Sequence, residues 1–337
     1  MPMSRLCVKV AFVLAVAASF AAWSAPSATA ATPPSSRWVA VSVATLWVEP
    51  DGPRKIDAPA LAAPADPRAW VAGMTVAQKR WLVGRLETQA LYGTRVYLLK
   101  TSGSWSKVAV AGQPTPRNTW GYPGWLPTAQ LTDVAPAVSL GSAPRIAIVR
   151  RRTVWLWQTS DLNGRVLELS YGTRLPAVAW TSTSVEAVTL DGTHVFMRRS
   201  AVALRDPATP WPRLKGANLV AQAKKFLGLQ YLWAGASGYG FDCSGFTHTI
   251  YRALGKTIPR DAGSQFARGK KIATRSALHI GDLVFFRNSS GGIHHVGMYV
   301  GDGGMIHAPA TGKAVQITSL YAEPYFSEFA GGRRYAP

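Results

Sequence analysis

Short alternating runs fill the chain between Arg37 and Arg205: "WVAVSVATLWV", "RVYLLK", "WSKVAV", then "RIAIVRRRTVWLWQ" and "HVFMRR". They are rich in Val, Trp and Thr and are broken by Gly, Asn and Asp. Such side chains suit a pleated, half-buried surface, so the pattern predicts strands, and their brevity predicts small β-barrels. The pattern also echoes itself. "LYGTRV" at Leu91–Val96 returns 79 residues later as "SYGTRL" at Ser170–Leu175, each after a "TLWVEP" or "TVWLWQ" run. Two copies at that separation point to a duplicated domain and not to a solenoid, whose period is shorter. The first copy carries an insertion, Pro50–Arg68, rich in Pro and Ala, followed by a predicted helix near Val76–Val83.

After Trp211 the period changes. "ANLVAQAKKFLG" places Leu219, Val220, Ala223, Phe226 and Leu227 on one helical face, with Gly228 as the stop. "CSGFTHTIYRALG" does the same with Phe246, Ile250, Tyr251 and Leu254, closed by Gly255. Strands are then predicted at Asp282–Phe286, His294–Val300, Met305–Ala308 and Ala314–Ile317. Helices first and an antiparallel sheet afterwards give an α+β domain. Pro-rich joints at Asp133–Pro144 and Asp206–Pro212 set the expected divisions at 37–133, 143–206 and 212–337.

The N-terminus stands apart. Arg5 and Lys9 precede the apolar run Val10–Ala22, and Ala28-Thr29-Ala30 offers an A-x-A cleavage site. Residues 1–30 are therefore expected to be a secretory signal peptide. Cys7 lies ahead of the apolar run, whereas a lipid-attachment cysteine follows one, which argues against a lipoprotein. No other segment approaches 18 uninterrupted apolar residues, so no integral membrane segment is expected after processing. At 47 % hydrophobic and 16 % charged, the 337-residue chain is globular in composition. Its formal charge of +20, about +18 once Arg5 and Lys9 are removed, favours polyanions. With export expected and no stripe of Lys/Arg interleaved with aromatics, nucleic acid is not an expected partner. Anionic wall polymers outside the cell compete with a plain solvated basic surface as the reason for the charge.

Processing leaves one cysteine, Cys243, in "GFDCSGF". An intrachain disulfide and a four-ligand zinc site are both excluded for the processed chain. Cys243 falls at a predicted helix start, where orphan N–H groups and the helix dipole favour thiolate, with Asp242 placed as the cap. In His294–Val300, Val296, Met298 and Val300 form the apolar face and His294 shares it; His295 and Gly297 point the other way. A three-residue loop Gly301–Gly303 sets Val300 opposite Gly304 and Gly297 opposite His307, bringing His295 and His307 to one face; a two-residue loop separates them. Gly297 leaves room for another backbone or a thiol. His194, His248 and His279 lack such a setting.

"YLWAGASGYGFDCSGF", "IPRDAGSQ", "IGDLVFF" and "HHVGMYVGDGGMIHAP", in that order, resemble the NlpC family of bacterial cell-wall cysteine peptidases, of papain-like fold. "RLETQALYG" and "RNTWGYPGWLP" further resemble the paired bacterial SH3 modules of one branch, which cleaves murein peptides at the γ-D-glutamyl–diamino acid bond. The resemblance implies Cys243 as nucleophile, His295 as base and His307 as the residue that orients it. It implies an oxyanion site from the Cys243 N–H and the Tyr231 hydroxyl, and no cofactor. That branch recognises the free amine of an N-terminal L-alanine, which maps to Glu87, Tyr122 and Asp261; Asp242 and Ser244 then cap the helix and line the substrate pocket. The implied substrates are peptidoglycan stem peptides and the implied setting is a periplasm or cell wall. The sequence departs from the branch at Ala262, commonly serine, at Ala234, commonly glycine, and at Thr94, frequently an acid. Ala262 removes a hydroxyl from the amine pocket. An enzyme acting on intact wall, a thiol amidase or acyltransferase, and a wall-binding protein remain as alternatives.

Overall fold

The structure is a computed structural model that describes Met1 and residues 34–336. The expected signal segment 1–30 and Cys7 otherwise lie outside the described residues. Two antiparallel seven-stranded sheets come first. One comprises β1 (Ser36–Val39), β2 (Val43–Trp47), β3 (Leu86–Leu91), β4 (Arg95–Ser102), β5 (Trp105–Val110), β6 (Tyr122–Pro127) and β7 (Leu131–Thr132). The other comprises β8 (Arg145–Val149), β9 (Thr153–Trp157), β10 (Arg165–Ser170), β11 (Arg174–Trp180), β12 (Ser184–Val188), β13 (His194–Arg198) and β14 (Val202–Arg205). Their strand orders are β3-β2-β6-β5-β4-β1-β7 and β10-β9-β13-β12-β11-β8-β14, identical when each is counted from its own first strand.

The sequence echo is the turn that closes each sheet. Gly93 N donates to Val39 O (2.9 Å) and Val39 N to Thr94 O (3.0 Å); Gly172 N donates to Val149 O (3.0 Å) and Val149 N to Thr173 O (3.0 Å). The long run Trp38–Val48, read as one segment, is two strands because the chain changes partners: β1 pairs with β4 and β7, β2 with β3 and β6. The insertion holds more helix than its composition suggested: α1 (Ala58–Leu61), α2 (Pro67–Gly73) and α3 (Val76–Trp81). Pro sits in the first turn of α1 and α2, where its missing N–H costs nothing, and Asp66 caps α2 through Ala69 N.

The remainder is α+β. It comprises α4 (Gly216–Lys224), a small hairpin β15 (Ala236–Ser237) and β16 (Gly240–Phe241), α5 (Cys243–Ala253), α6 (Ala262–Phe266), and an antiparallel sheet. The sheet contains β17 (Lys270–Ile272), β18 (Leu283–Arg287), β19 (Ile293–Gly301), β20 (Gly304–His307), β21 (Gln316–Ser319) and β22 (Phe329–Arg334), in the order β17-β22-β18-β19-β20-β21. Helix α4 ends at Lys224, before the expected Gly228, and Leu227 is exposed instead of joining the apolar face. Phe226 still anchors the core edge-on to Tyr171 and Phe241, with centroids 5.0 Å from each. Tyr171 is the turn residue that follows β10, so the loop end of the second sheet shares the core behind α5. Gly238, in the β15–β16 turn, allows the same docking: a Cβ there would lie 1.9 Å from Arg152 O.

The β19–β20 hairpin differs from expectation. Gly301, not Val300, pairs with Gly304, leaving a two-residue loop of Asp302 (φ 51°) and Gly303 (φ 68°), the conformation of a type I′ turn. A β-bulge between Tyr299 and Gly301 then restores the register, and Met298 pairs with Ile306. Gly297 accordingly faces His307, and its lack of a side chain makes room for Met305 and His307 rather than for a thiol: a Cβ there would lie 2.6 Å from Met305 Sδ.

Candidate active site

Cys243 opens α5, and Asp242 caps that helix by accepting from Gly245 N at 2.6 Å. Asp242 is held in turn by Arg260, buried to 1 % exposure, through Nη2–Oδ2 at 2.6 Å and Nη1–Oδ1 at 3.1 Å. Ser244 Oγ donates to Asp242 Oδ1 (3.2 Å) and accepts from Arg260 Nη1 (3.1 Å). The polar atoms of Asp242 and Ser244 thus belong to an internal network that fixes the start of the helix. Arg260 Nε reaches across to Thr88 of β3 at 2.9 Å, tying the cap of α5 to the first sheet.

Cys243 is partly exposed as a residue, while its thiol is enclosed and receives a hydrogen bond from the N–H of Val296, the residue after His295. His295 is buried at 5 % exposure, flanked by the Phe286 and Tyr325 rings, whereas His294 is exposed and meets Glu328 (3.0 Å). His295 Nε2 lies 2.8 Å from His307 Nδ1, and His307 Nε2 lies 3.0 Å from Thr318 Oγ1. One set of neutral tautomers satisfies the chain: Nε2–H of His295 donates to His307, and Nε2–H of His307 donates to Thr318. That assignment leaves Nδ1 of His295 as a free base. Burial holds His295 well below the ordinary histidine range and His307 down at about 4.

Two influences oppose each other at the sulfur. Burial, together with the charge of Asp242, pushes the Cys243 thiol up to about 12, against the smaller opposing effects of Val296 N–H, Arg260 and Ser244 N–H. The orphan N–H groups at the start of α5 favour the thiolate, and desolvation favours the thiol.

Tyr231 lies close enough to Cys243 and Asp242 for their charges to act on its hydroxyl, which burial first, and then those charges, keep protonated. Glu87, Tyr122 and Asp261 come together from β3, β6 and the start of α6. Tyr122 donates to Asp261 Oδ1 at 3.0 Å. Asp261 caps α6 in position only, since its side chain makes no cap bond, and burial raises its carboxyl above the ordinary value. Glu87 is held by Arg117 at 2.5 and 2.7 Å, and Arg117 Nη1 also reaches the Tyr122 hydroxyl at 3.3 Å. Ala262 is buried beside Asp261. His194 pairs with Glu186, His248 is buried against Ile258 O, and His279 is exposed, all away from the relay.

Four residues escaped the sequence reading. Arg260 and Arg117 stood inside "IPRDAGSQ" and "RNTWGYPGWLP", where a lone arginine beside recognised acids was the available signal. Thr318 and Tyr325 had none, because each reaches the histidines only through the fold of the sheet.

A cysteine opening a helix beside a strand with buried, hydrogen-bonded histidines, in an α+β fold, defines the layout of a thiol hydrolase. The NlpC/P60 family model matches residues 228–334. The gamma-D-glutamyl-L-lysine dipeptidyl-peptidase of Bacillus cereus (strain ATCC 10987 / NRS 248) is 42 % identical over 307 residues, 90 % of this chain and 92 % of that protein. The protein of the same name from Bacillus subtilis (strain 168) is 36 % identical over 300 residues, 87 % of this chain and 96 % of its own. The crystal structure of an NlpC/P60 family protein from Bacillus cereus ATCC 10987 superimposes with a TM-score of 0.83 at 41 % identity, covering 90 % of this chain and all of that one. The chain belongs to the NlpC/P60 family.

Proposed function

We propose that this chain is a cysteine peptidase that hydrolyses the γ-D-glutamyl–L-diamino acid bond of peptidoglycan stem peptides; the two Bacillus relatives are named for the γ-D-glutamyl-L-lysine form of that bond. The observation that carries the chemistry is the His295–His307–Thr318 relay beside the thiol of Cys243. As Sγ attacks the carbonyl carbon, its proton passes to Nδ1 of His295, while His307 fixes the tautomer. The oxyanion receives hydrogen bonds from Cys243 N–H and the Tyr231 hydroxyl. His295 then gives its proton to the departing amine, and a water, deprotonated by the same imidazole, releases the acyl group from sulfur.

Glu87, Tyr122 and Asp261 form the pocket for the free amine of an N-terminal L-alanine, a role supported by two carboxylates and a phenol in one cluster at the junction of β3, β6 and α6. Asp242 and Ser244 support the pocket from beneath. The two seven-stranded sheets are read as SH3-like modules over 37–133 and 143–206, preceding a catalytic domain at 212–337. The identical strand orders support that reading. Export through the signal at 1–30 would deliver the enzyme to periplasm or cell wall, where its charge of +20 favours anionic polymers. Among the described residues, no helix is long and apolar enough to cross a membrane.

The test is hydrolysis of L-Ala-γ-D-Glu-L-Lys and its diaminopimelate counterpart by purified protein and by Cys243→Ala. Release of the diamino acid by the parent alone is expected. Equal release by the alanine variant overturns the mechanism.

A further inference from the structure

Arg117 engages two of the three residues of the proposed amine pocket directly, and the third, Asp261, through Tyr122. Its guanidinium grips both oxygens of Glu87 (2.5 and 2.7 Å) and donates to the Tyr122 hydroxyl (3.3 Å), whose own proton goes to Asp261 (3.0 Å). The contacts an incoming ammonium needs, a carboxylate oxygen of Glu87 and the lone pair of Tyr122, are those that Arg117 occupies. With Arg117 in place Glu87 is charge-matched, as Asp242 is by Arg260, and Asp261 has the Tyr122 hydroxyl as its hydrogen-bond partner.

The attachment of Arg117 is of a kind that gives way. Its side chain is 45 % exposed against 12 % for Glu87, so the arginine sits at the solvent side of the pair. It belongs to the segment joining β5 to β6, whose base is tied down where Pro114 O accepts from Arg260 N (3.1 Å) and Gln113 Nε2 donates to Gln89 O (2.7 Å). The tip near Arg117 is held by local bonds, Arg117 N to Thr115 Oγ1 and Trp120 N to Asn118 Oδ1. Exposed ion pairs are worth at most about fivefold in a binding equilibrium, and the bidentate geometry and shielded Glu87 put this one at the upper end of that range.

We propose that Arg117 is a tethered surrogate for the substrate's ammonium: it holds Glu87 and Tyr122 in the empty pocket and is displaced to solvent when a free N-terminal amine binds. The proposal rests on the amine-pocket reading above. It makes Arg117 a specificity-determining residue, because a ligand without a cation cannot repay the pair it breaks, whereas a primary amine replaces the guanidinium charge for charge.

The experiment compares the parent, Arg117→Gln and Arg117→Lys on L-Ala-γ-D-Glu-L-Lys and on its Nα-acetyl form, reading KM and kcat separately, with thermal melts to verify folding. The expected result is a KM for the free-amine peptide up to about fivefold lower in Arg117→Gln, with kcat moving less than KM, and an intermediate value for Arg117→Lys. An unchanged or higher KM in a folded Arg117→Gln variant overturns the surrogate role and marks Arg117 as a positioning residue. A parent enzyme that cleaves both peptides with equal kcat/KM overturns the amine pocket itself, and the proposal with it.

Discussion

The reactivity of Cys243 is set by two opposing influences at one atom. Helix N–H groups and Val296 N–H favour sulfur anion, but desolvation outweighs them and the thiol is pushed up to about 12. His295 is buried and held below its ordinary range, so desolvation works against the charged form of both partners. In the proposed mechanism the orientation of the imidazole is the task of His307. Replacing His307 with Ala is expected to lower kcat about 100-fold, and His307→Asn, which keeps an acceptor for Nε2–H, to recover part of it. Steady-state kinetics give the comparison, and an unchanged kcat in the alanine variant removes His307 from the relay. Much of this was legible beforehand. Strand parity separates His295 from His294, and the motif marks Cys243. The strength of the desolvation was not legible, because it depends on which atoms enclose the sulfur.

At the level of elements, the hairpin that pairs His295 with His307 works by a bulge that no residue pattern announces. Alternation reads β19 and β20 correctly, and the two-residue loop, which alone would separate His295 from His307, is compensated by the bulge. Strand β22 was missed because "FAGGRR" has little apolar signal, although it lies between β17 and β18. Its Gly332 is closely packed: a Cβ there would lie 2.8 Å from Leu278 Cδ2, which would have to shift, and 3.2 Å from Leu283 O. The loop before α5 contains a strained position: Ala234 has φ 59°, in the left-handed region where glycine is favoured. Ala234→Gly relieves about 1–2 kcal/mol of strain and gives back about 0.5–1 kcal/mol through the unfolded chain. A net gain of about 1 kcal/mol is expected, seen as a Tm higher by about 2 °C. A lower Tm would mean that the loop is not strained there.

Across the whole molecule, the duplication announced by "LYGTRV" and "SYGTRL" is realised as two sheets of one strand order. What the sequence does not carry is how they dock. The contacts join residues far apart in the chain: Arg260 with Thr88, Tyr122 with Asp261, and Tyr239 with Glu168 (3.0 Å). The same burial gives the fold a pH dependence. His307 is lowered from 6.5 to about 4 and His248 from 6.5 to about 3, with His295 also lowered, each mainly by desolvation. Between about pH 4 and 6.5 the unfolded chain binds more protons than the folded one, so stability is full above that window and declines as pH falls through it. Urea midpoints at pH 7 and pH 5 are expected to differ in that direction. A midpoint that holds or rises on acidification contradicts the buried neutral histidines.

The central claim is that the sulfur of Cys243 carries the peptide's acyl group during turnover. Acid-quenched reactions with L-Ala-γ-D-Glu-L-Lys, followed by peptide mapping in a mass spectrometer, test it most directly. The account predicts an L-Ala-γ-D-Glu thioester on the peptide containing Cys243, formed as lysine is released and absent from Cys243→Ala. Lysine release that continues in Cys243→Ala, with no adduct on the parent enzyme, would contradict it.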